Sequence, residues 1–217
     1  MTKSALRLPR LYAIIDATRF AEKKDPTQAL LQFARGLADG GARLLQYRNK
    51  TGSTMEMLSH ARELKRVLGT RVRVIINDRA DLCLATGCEG VHLGQDDVSP
   101  AGARKVLGED RTIGLSTHNL EQAMAAEASE ADYIAIGPIF ATQSKERPDP
   151  VVGIAALKKI RKRVHKPLVA IGGITRANCQ EVTAAGADAV AVVADLVDTS
   201  GQDSPRSRVE DFLRRLE

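Results

Sequence analysis

Short apolar runs of strand length alternate with longer segments of helical period along the chain, and this alternation fixes the fold class. The runs lie at residues 11–16, 42–46, 72–76, 90–93, 112–115, 133–136, 168–171 and 189–193. The helical segments lie at 27–39, 54–68, 81–86, 99–107, 120–128, 154–164, 176–185 and 209–216. In the first of these, Leu30, Leu31, Ala34, Leu37 and Ala38 share one face, and Gly40 and Gly41 end it. Ser99 followed by Pro100 reads as an N-cap with proline at the first helical position. Strands that are apolar throughout and joined by helices predict a parallel sheet buried on both faces. Eight such units in ~200 residues match the lower size limit of the (β/α)8, or TIM, barrel. An open doubly wound sheet is the alternative. The unit count and the lack of a glycine-rich loop after the first strand speak against it. The expectation is therefore an α/β protein with one TIM-barrel domain over residues 1–217. Residues 1–10 form a basic N-terminal extension, and the active site lies at the C-terminal ends of the strands.

Composition narrows the function classes. Hydrophobic residues make up 43% and charged residues 27%, the balance of a folded globular chain rather than a disordered one. No apolar run approaches the ~20 residues that span a bilayer. The N-terminus carries Lys3, Arg7 and Arg10 but no apolar h-region, so it does not read as a secretion signal. Cys83, Cys88 and Cys179 are an odd set, which argues against a disulfide framework and for a reducing, cytoplasmic setting. Cys83 and Cys88 lack a second pair to complete a metal site and read as buried thiols. The net charge of +5 would attract nucleic acid or an anionic metabolite. With aromatics at 3% and no Trp, there is little to stack bases on, so a phosphorylated small molecule is the favoured partner, with no nucleic acid and no membrane. A homo-oligomer is left open.

The residues at the strand ends carry the chemistry. After the second strand come Gln46, Tyr47, Arg48, Asn49 and Lys50. Alternation sends Gln46, Arg48 and Lys50 one way and Tyr47 and Asn49 the other. An amide and two cations aimed at one place suit a diphosphate, with Arg48 as a bidentate clamp; a solvated charge pair is the plain alternative. After the third strand come Asn77, Asp78 and Arg79, where Asp78 alone reads equally as a helix cap. After the fourth come Gln95, Asp96 and Asp97, equally a loop of Asx turns. Together, carboxylates from neighbouring strands suit a hard cation such as Mg²⁺, though charge does not separate Asp96 from Asp97. Ser116, Thr117 and His118 follow the fifth strand. Ser116 is a phosphate donor or a turn residue, and His118 a helix-start residue with nothing nearby to make it a base. His92, within the fourth strand, reads as a hydrogen-bonded structural residue.

The longest irregular stretch, residues 137–153, contains Thr142, Gln143, Ser144 and Lys145, two hydroxyls ahead of a cation. Loops of that length in compact domains are usually functional. After the seventh strand, Gly172 and Gly173 lead into the next predicted helix. Glycines there let phosphate reach backbone N–H groups at a helix N-terminus.

In this order, these motifs resemble the thiamine phosphate synthase family. The resemblance rests on residues 46–50, 77–79, 90–97, 114–116, 132–145, 171–174 and 186–193, and spans residues 11 to about 196. It implies a transferase that joins 4-amino-5-hydroxymethyl-2-methylpyrimidine diphosphate to a thiazole phosphate, or its carboxylate. Pyrophosphate is released and thiamine phosphate formed, by a dissociative, Mg²⁺-assisted route. It implies that Asp78 and Asp97 hold Mg²⁺. It implies that Gln46, Arg48, Lys50, Asn77, Ser116 and Lys145 bind the pyrimidine diphosphate, with Arg48, Ser116 and Lys145 nearest the reacting atoms. Thr142, Ser144, Gly173 and the backbone around Val193 and Ala194 would hold the thiazole phosphate. Tyr47, Asn49, Gln143 and Gly172 complete the substrate-binding set. Two positions depart from the family pattern: Ser144 stands where the family has Thr, and Ala194, followed by Asp195, where it has Ser. A thiazole tautomerase and other phosphate-binding-barrel enzymes are the rival readings.

Overall fold

The computed structural model describes residues 6–142, 149–197 and 202–217. Its strands are β1 (Leu11–Asp16), β2 (Leu44–Arg48), β3 (Arg73–Asn77), β4 (Gly90–Leu93), β5 (Thr112–Thr117), β6 (Tyr133–Ile136), β7 (Leu168–Ile171) and β8 (Ala189–Val192). They pair in sequence order, all parallel, and β8 returns to β1 to close a barrel. Around it lie α1 (Pro26–Asp39), α2 (Thr54–Leu68), α3 (Ala80–Thr86), α4 (Pro100–Leu107), α5 (Leu120–Glu127), α6 (Gly153–Arg161), α7 (Cys179–Ala184) and α8 (Pro205–Leu216). The expected (β/α)8 barrel is present. Asp25, Ser53, Ser99, Asn119 and Ser204 cap α1, α2, α4, α5 and α8 by accepting a backbone N–H of the first turn. No helix among the described residues is long and apolar enough to cross a membrane.

Strand alternation divides the core in two. Outward residues such as Leu11, Ile15, Leu45, Val74 and Val91 pack under the helices, with Leu30, Leu37, Leu64 and Phe212 above them. Inward residues, among them Tyr12, Ile14, Leu44, Ile75, Tyr133, Ala135 and Val169, fill the barrel. Leu6 and Leu8 pack against that inner cluster, and Arg73 donates to the Arg7 carbonyl at 3.0 Å. The described part of the N-terminal extension is thus built into the barrel rather than a loose basic tail, because two leucines alternate with its charges.

Gly114 makes the inner layer possible. It sits on β5 in register with His92 of β4 and Tyr133 of β6. The two rings stack across it with centroids 5.6 Å apart. A Cβ at Gly114 would fall 2.0 Å from Tyr133 Cζ, a separation that van der Waals contact forbids. Gly114→Ala is expected to lower the urea midpoint by a stability loss at or above the upper end of ~1–3 kcal/mol, the usual range for overpacking. A fully buried ring has nowhere to retreat.

Several boundaries differ from the sequence expectation, among them the start of α8, which lies at Pro205 rather than 209, and the end of α6, at Arg161 rather than 164. Three others have a local reason. β2 runs on to Arg48, pairing Asp16 with Arg48, and β5 runs on to Thr117, pairing Thr117 with Ile136. Their last residues are polar because they face the barrel mouth, which hides them from an apolar-run criterion. α7 begins at Cys179 rather than at 176. The Thr175 N–H bonds to Asn178 Oδ1 at 2.8 Å and the Arg176 N–H to Asp195 Oδ2 at 2.7 Å, so a turn satisfies the amides instead. Gly172 and Gly173 therefore do not open directly onto a helix N-terminus.

Candidate active site

The C-terminal mouth of the barrel gathers polar side chains from β1 to β5 on one side and glycine-rich backbone from β6 to β8 on the other. On β2 the predicted alternation holds. Gln46 is buried and donates from Nε2 to the Tyr12 hydroxyl at 3.0 Å. Arg48 forms an ion pair with Asp16, and Lys50 forms one with Asp78. Asp16 also accepts from the Thr18 N–H at 3.1 Å and the Thr18 hydroxyl at 2.7 Å.

Tyr47 and Asn49 face the helix layer. The Tyr47 hydroxyl lies 2.9 Å from His60 Nδ1 on α2, and burial pushes its phenol up to about 12. Asn49 donates to the Tyr47 hydroxyl at 3.2 Å, and its Oδ1 accepts the Gly52 N–H at 2.8 Å. Both residues shape the loop into α2. Neither is brought to the mouth with Gln46, Arg48 and Lys50.

Asp78 is the non-glycine residue with a left-handed backbone among those described, at φ 64°. Its N–H bonds to the His92 carbonyl at 2.7 Å, which ties the end of β3 to β4. The helix-cap alternative is not realised: α3 takes Arg79 at its N-cap position, with no side-chain cap bond. Asp97 turns back so that its Oδ2 accepts the Gly94 N–H at 2.7 Å. Burial, and next the Asp78 carboxylate beside it, hold its carboxyl above the usual range. Asp96 is exposed, so geometry separates the two aspartates where charge could not.

Two carboxylates at one half-buried spot, with a lysine against one of them, form a donor set that fits a hard dication. Among the described residues no group of three or more His, Cys, Asp or Glu is placed for a metal. One or two carboxylates, completed by water and substrate phosphate oxygens, are the usual ligands of Mg²⁺.

Asn77 and Ser116 line the inner cavity together with Asp16, Gln46, Arg48 and His92. Ser116 Oγ lies 2.8 Å from His92 Nε2, and Gln95 donates to the Ser116 carbonyl at 2.5 Å. His92 is hydrogen-bonded on both ring nitrogens, as expected of a structural histidine. His118 stands just ahead of the α5 N-cap, as expected, and its N–H bonds to Gln122 Oε1 at 2.7 Å, but its ring has partners as well. Its Nδ1 lies 2.7 Å from the Gly137 carbonyl and 3.6 Å from an Asp149 carboxylate oxygen. A partner for it was not visible in the sequence because Asp149 is thirty-one positions away, across the β6–α6 loop.

The adjoining cavity is lined by Thr142, Gly172, Gly173, Val193 and Ala194, with His118 and Asp149 on its wall. Gly172 and Gly173 have φ of 98° and 64°, and a Cβ on Gly172 would sit 2.5 Å from Pro138 Cα. The loops zip together here: the Phe140 N–H bonds to the Gly172 carbonyl at 3.0 Å. Ala194 opens a short 3-10 turn, Ala194–Leu196, and is exposed at the mouth. Asp195 does not leave a bare anion there. Its carboxylate takes the Arg176 N–H at 2.7 Å and Arg208 at 3.1 Å. Gln143, Ser144 and Lys145 lie outside the described residues.

Sequence reasoning missed Asp16, although it ends β1 as the other site residues end theirs. It also missed Tyr12 and Tyr133, whose position inside an apolar run hid their hydroxyls.

The profile of a family described as thiamine monophosphate synthase matches residues 11–196. The chain is 57% identical over 214 residues to a thiamine-phosphate synthase of Koribacter versatilis, covering 98% of each. It is 39% identical over 185 residues to a thiamine-phosphate synthase of Methanosarcina barkeri, covering 85% of this chain and 84% of that one. Among solved structures, a thiamine phosphate pyrophosphorylase from Pyrococcus furiosus superposes with a TM-score of 0.81 at 30% identity, covering 95% of both chains.

Proposed function

The chain belongs to the thiamine monophosphate synthase family, and from that premise we propose that it is a transferase of thiamine biosynthesis. Its substrates are the pyrimidine diphosphate and a thiazole phosphate, or the carboxylate of the latter, and its products are thiamine phosphate and pyrophosphate. The observation that carries the reading is the two-sided mouth. Arg48, Lys50, Asn77 and Ser116 gather beside the Asp78–Asp97 pair on one side, and the Gly172–Gly173 backbone faces them on the other. The first side suits a diphosphate and the second a monophosphate.

Asp78 and Asp97 would hold Mg²⁺, which when bound neutralises charge on a departing diphosphate. The rest falls to the chain. Asp16 holds the Arg48 guanidinium at the mouth, so a cation stands ready where negative charge develops. Ser116 supplies a hydroxyl on the same side. Ile14, Val169 and Ile171 line the inner wall and keep water from the pyrimidine methyl cation that a dissociative path generates. The thiazole nitrogen brings its own lone pair, so the capture step needs no base. The role of Lys145 in binding the diphosphate rests on the resemblance alone. The free, buried cysteines fit the reducing cytoplasm in which we place the enzyme.

The test is a reaction with purified chain, both substrates and Mg²⁺, followed by phosphorus NMR. Pyrophosphate and thiamine phosphate should appear together and only when both substrates are present. Conversion of a thiazole phosphate by itself, without pyrophosphate, would favour the tautomerase reading instead.

Ala194→Ser offers a finer check. A new hydroxyl beside the monophosphate side is worth ~0.5–1.5 kcal/mol as a hydrogen bond. The Michaelis constant for the thiazole phosphate should fall by up to about tenfold, since ~1.4 kcal/mol is a factor of ten. The constant for the pyrimidine diphosphate should hardly move. A change confined to the pyrimidine constant would reverse the placement of the two substrates.

A further inference from the structure

The barrel interior holds five polar side chains in a row, where TIM barrels are dominated by branched apolar residues. Gln46 Nε2 lies 3.0 Å from the Tyr12 hydroxyl, which lies 2.9 Å from the Tyr133 hydroxyl. The Tyr133 hydroxyl lies 2.9 Å from His92 Nδ1, and His92 Nε2 lies 2.8 Å from Ser116 Oγ. Tyr12, Gln46, His92 and Tyr133 are all buried. The row crosses the barrel from β2 through β1, β6 and β4 to β5.

We propose that this row is a one-way hydrogen-bond chain that fixes His92 as its Nε2–H tautomer and turns the Ser116 proton toward the bound diphosphate. His92 and Tyr133 are then positioning residues for Ser116. The final step rests on the diphosphate placement above; the tautomer does not.

The direction follows from counting protons. The Gln46 NH₂ can only donate, so the Tyr12 oxygen accepts there and spends its single proton on Tyr133. The Tyr133 oxygen accepts in turn and spends its proton on His92 Nδ1. An imidazole that accepts at Nδ1 carries its proton on Nε2, and it gives that proton to Ser116 Oγ. Apart from the second Gln46 amide hydrogen at the far end, the Ser116 hydroxyl hydrogen is then the only one in the row not used internally. Burial pushes both phenols up, so each keeps its single proton. The far end agrees with the near end. A diphosphate offers acceptors only, and a chain running the other way would commit the Ser116 proton to His92 and face the anion with lone pairs. That reverse chain would also need the Gln46 amide turned so that Oε1 meets Tyr12.

Nitrogen-15 NMR of the histidine side chains in the unliganded protein tests the direction, with His92→Gln identifying the His92 signals. The expected result at neutral pH is a bare Nδ1 and a protonated Nε2. Tyr12→Phe should leave that tautomer in place, because Tyr133 can still donate. Tyr133→Phe should release it to a mixture. In turnover, Tyr133→Phe should lower kcat about tenfold, or ~1.4 kcal/mol in the barrier, with the thiazole Michaelis constant retained. An Nδ1–H tautomer or an imidazolium in the parent protein overturns the proposal. So does an equal effect of the two tyrosine substitutions on the tautomer. A parent protein with the expected tautomer but no pyrophosphate release would instead overturn the functional reading and leave the chain of bonds standing.

Discussion

Asp78→Ala and Asp97→Ala are each expected to lower turnover at saturating substrate by well over tenfold, that is by more than ~1.4 kcal/mol of transition-state stabilisation. Asp96→Ala should leave turnover near that of the parent. Asp97 is half-buried beside Asp78, whereas Asp96 is exposed. Asp78 adds a second argument. A non-glycine residue at φ 64° holds a strained backbone, a cost of ~1–3 kcal/mol that persists where surroundings over-determine it. Here the Asp78 N–H bond to the His92 carbonyl supplies the constraint. Asp78→Gly therefore separates strain from function: it should fold at least as stably as the parent, by up to ~1 kcal/mol, and still lose turnover. Rates over a range of Mg²⁺ concentrations, with denaturation midpoints alongside, check all four variants. Equal losses in Asp96→Ala and Asp97→Ala would refute the assignment at that loop.

Arg48→Ala is expected to damage both activity and stability. Losing a charged hydrogen bond to the diphosphate is worth ~1.5–3 kcal/mol, or roughly ten- to a hundredfold in kcat/KM. The stability loss comes from Asp16, which is 8% exposed and among the described residues would keep its Thr18 contacts. Removing one partner of a fully buried ion pair costs ~3–5 kcal/mol. The Arg48 side chain is 25% exposed at an open mouth, so the cost here should fall below that range. Asp16→Asn in the Arg48→Ala background should restore stability without restoring activity. Arg48→Lys keeps the charge but not the planar fork, and should recover activity only in part. Thermal midpoints and steady-state constants of the three variants separate the two roles. Full activity in the double variant would show that Arg48 serves only to neutralise Asp16.

How far the sequence was legible follows from which side of the barrel a residue faces. The bounds of β1, β4, β6, β7 and α2 match their sequence expectation because apolar residues or capping signals mark both ends. β2 and β5 were read short because their last residues turn polar at the mouth, where function places them. Asp16 ends β1 as Arg48 ends β2, so its position at a strand end is the sequence signal that marks it. Two features needed three dimensions. One is the His118–Asp149 contact, which crosses a long loop. The other is the interior row from Gln46 to Ser116, whose members come from five strands and whose tyrosines read as ordinary core. The choice between Asp96 and Asp97 was equally closed to charge counting, since one peptide bond separates a half-buried carboxylate from a solvated one.

Metal dependence bears most directly on the proposed reaction, because departure of a diphosphate from beside Asp78 and Asp97 is its demanding step. Pyrophosphate and thiamine phosphate should be measured together while Mg²⁺ is first removed by chelation and then restored. Both products are expected to fall to background together and return together, one for one. Unchanged formation of either product in the chelated enzyme would contradict it.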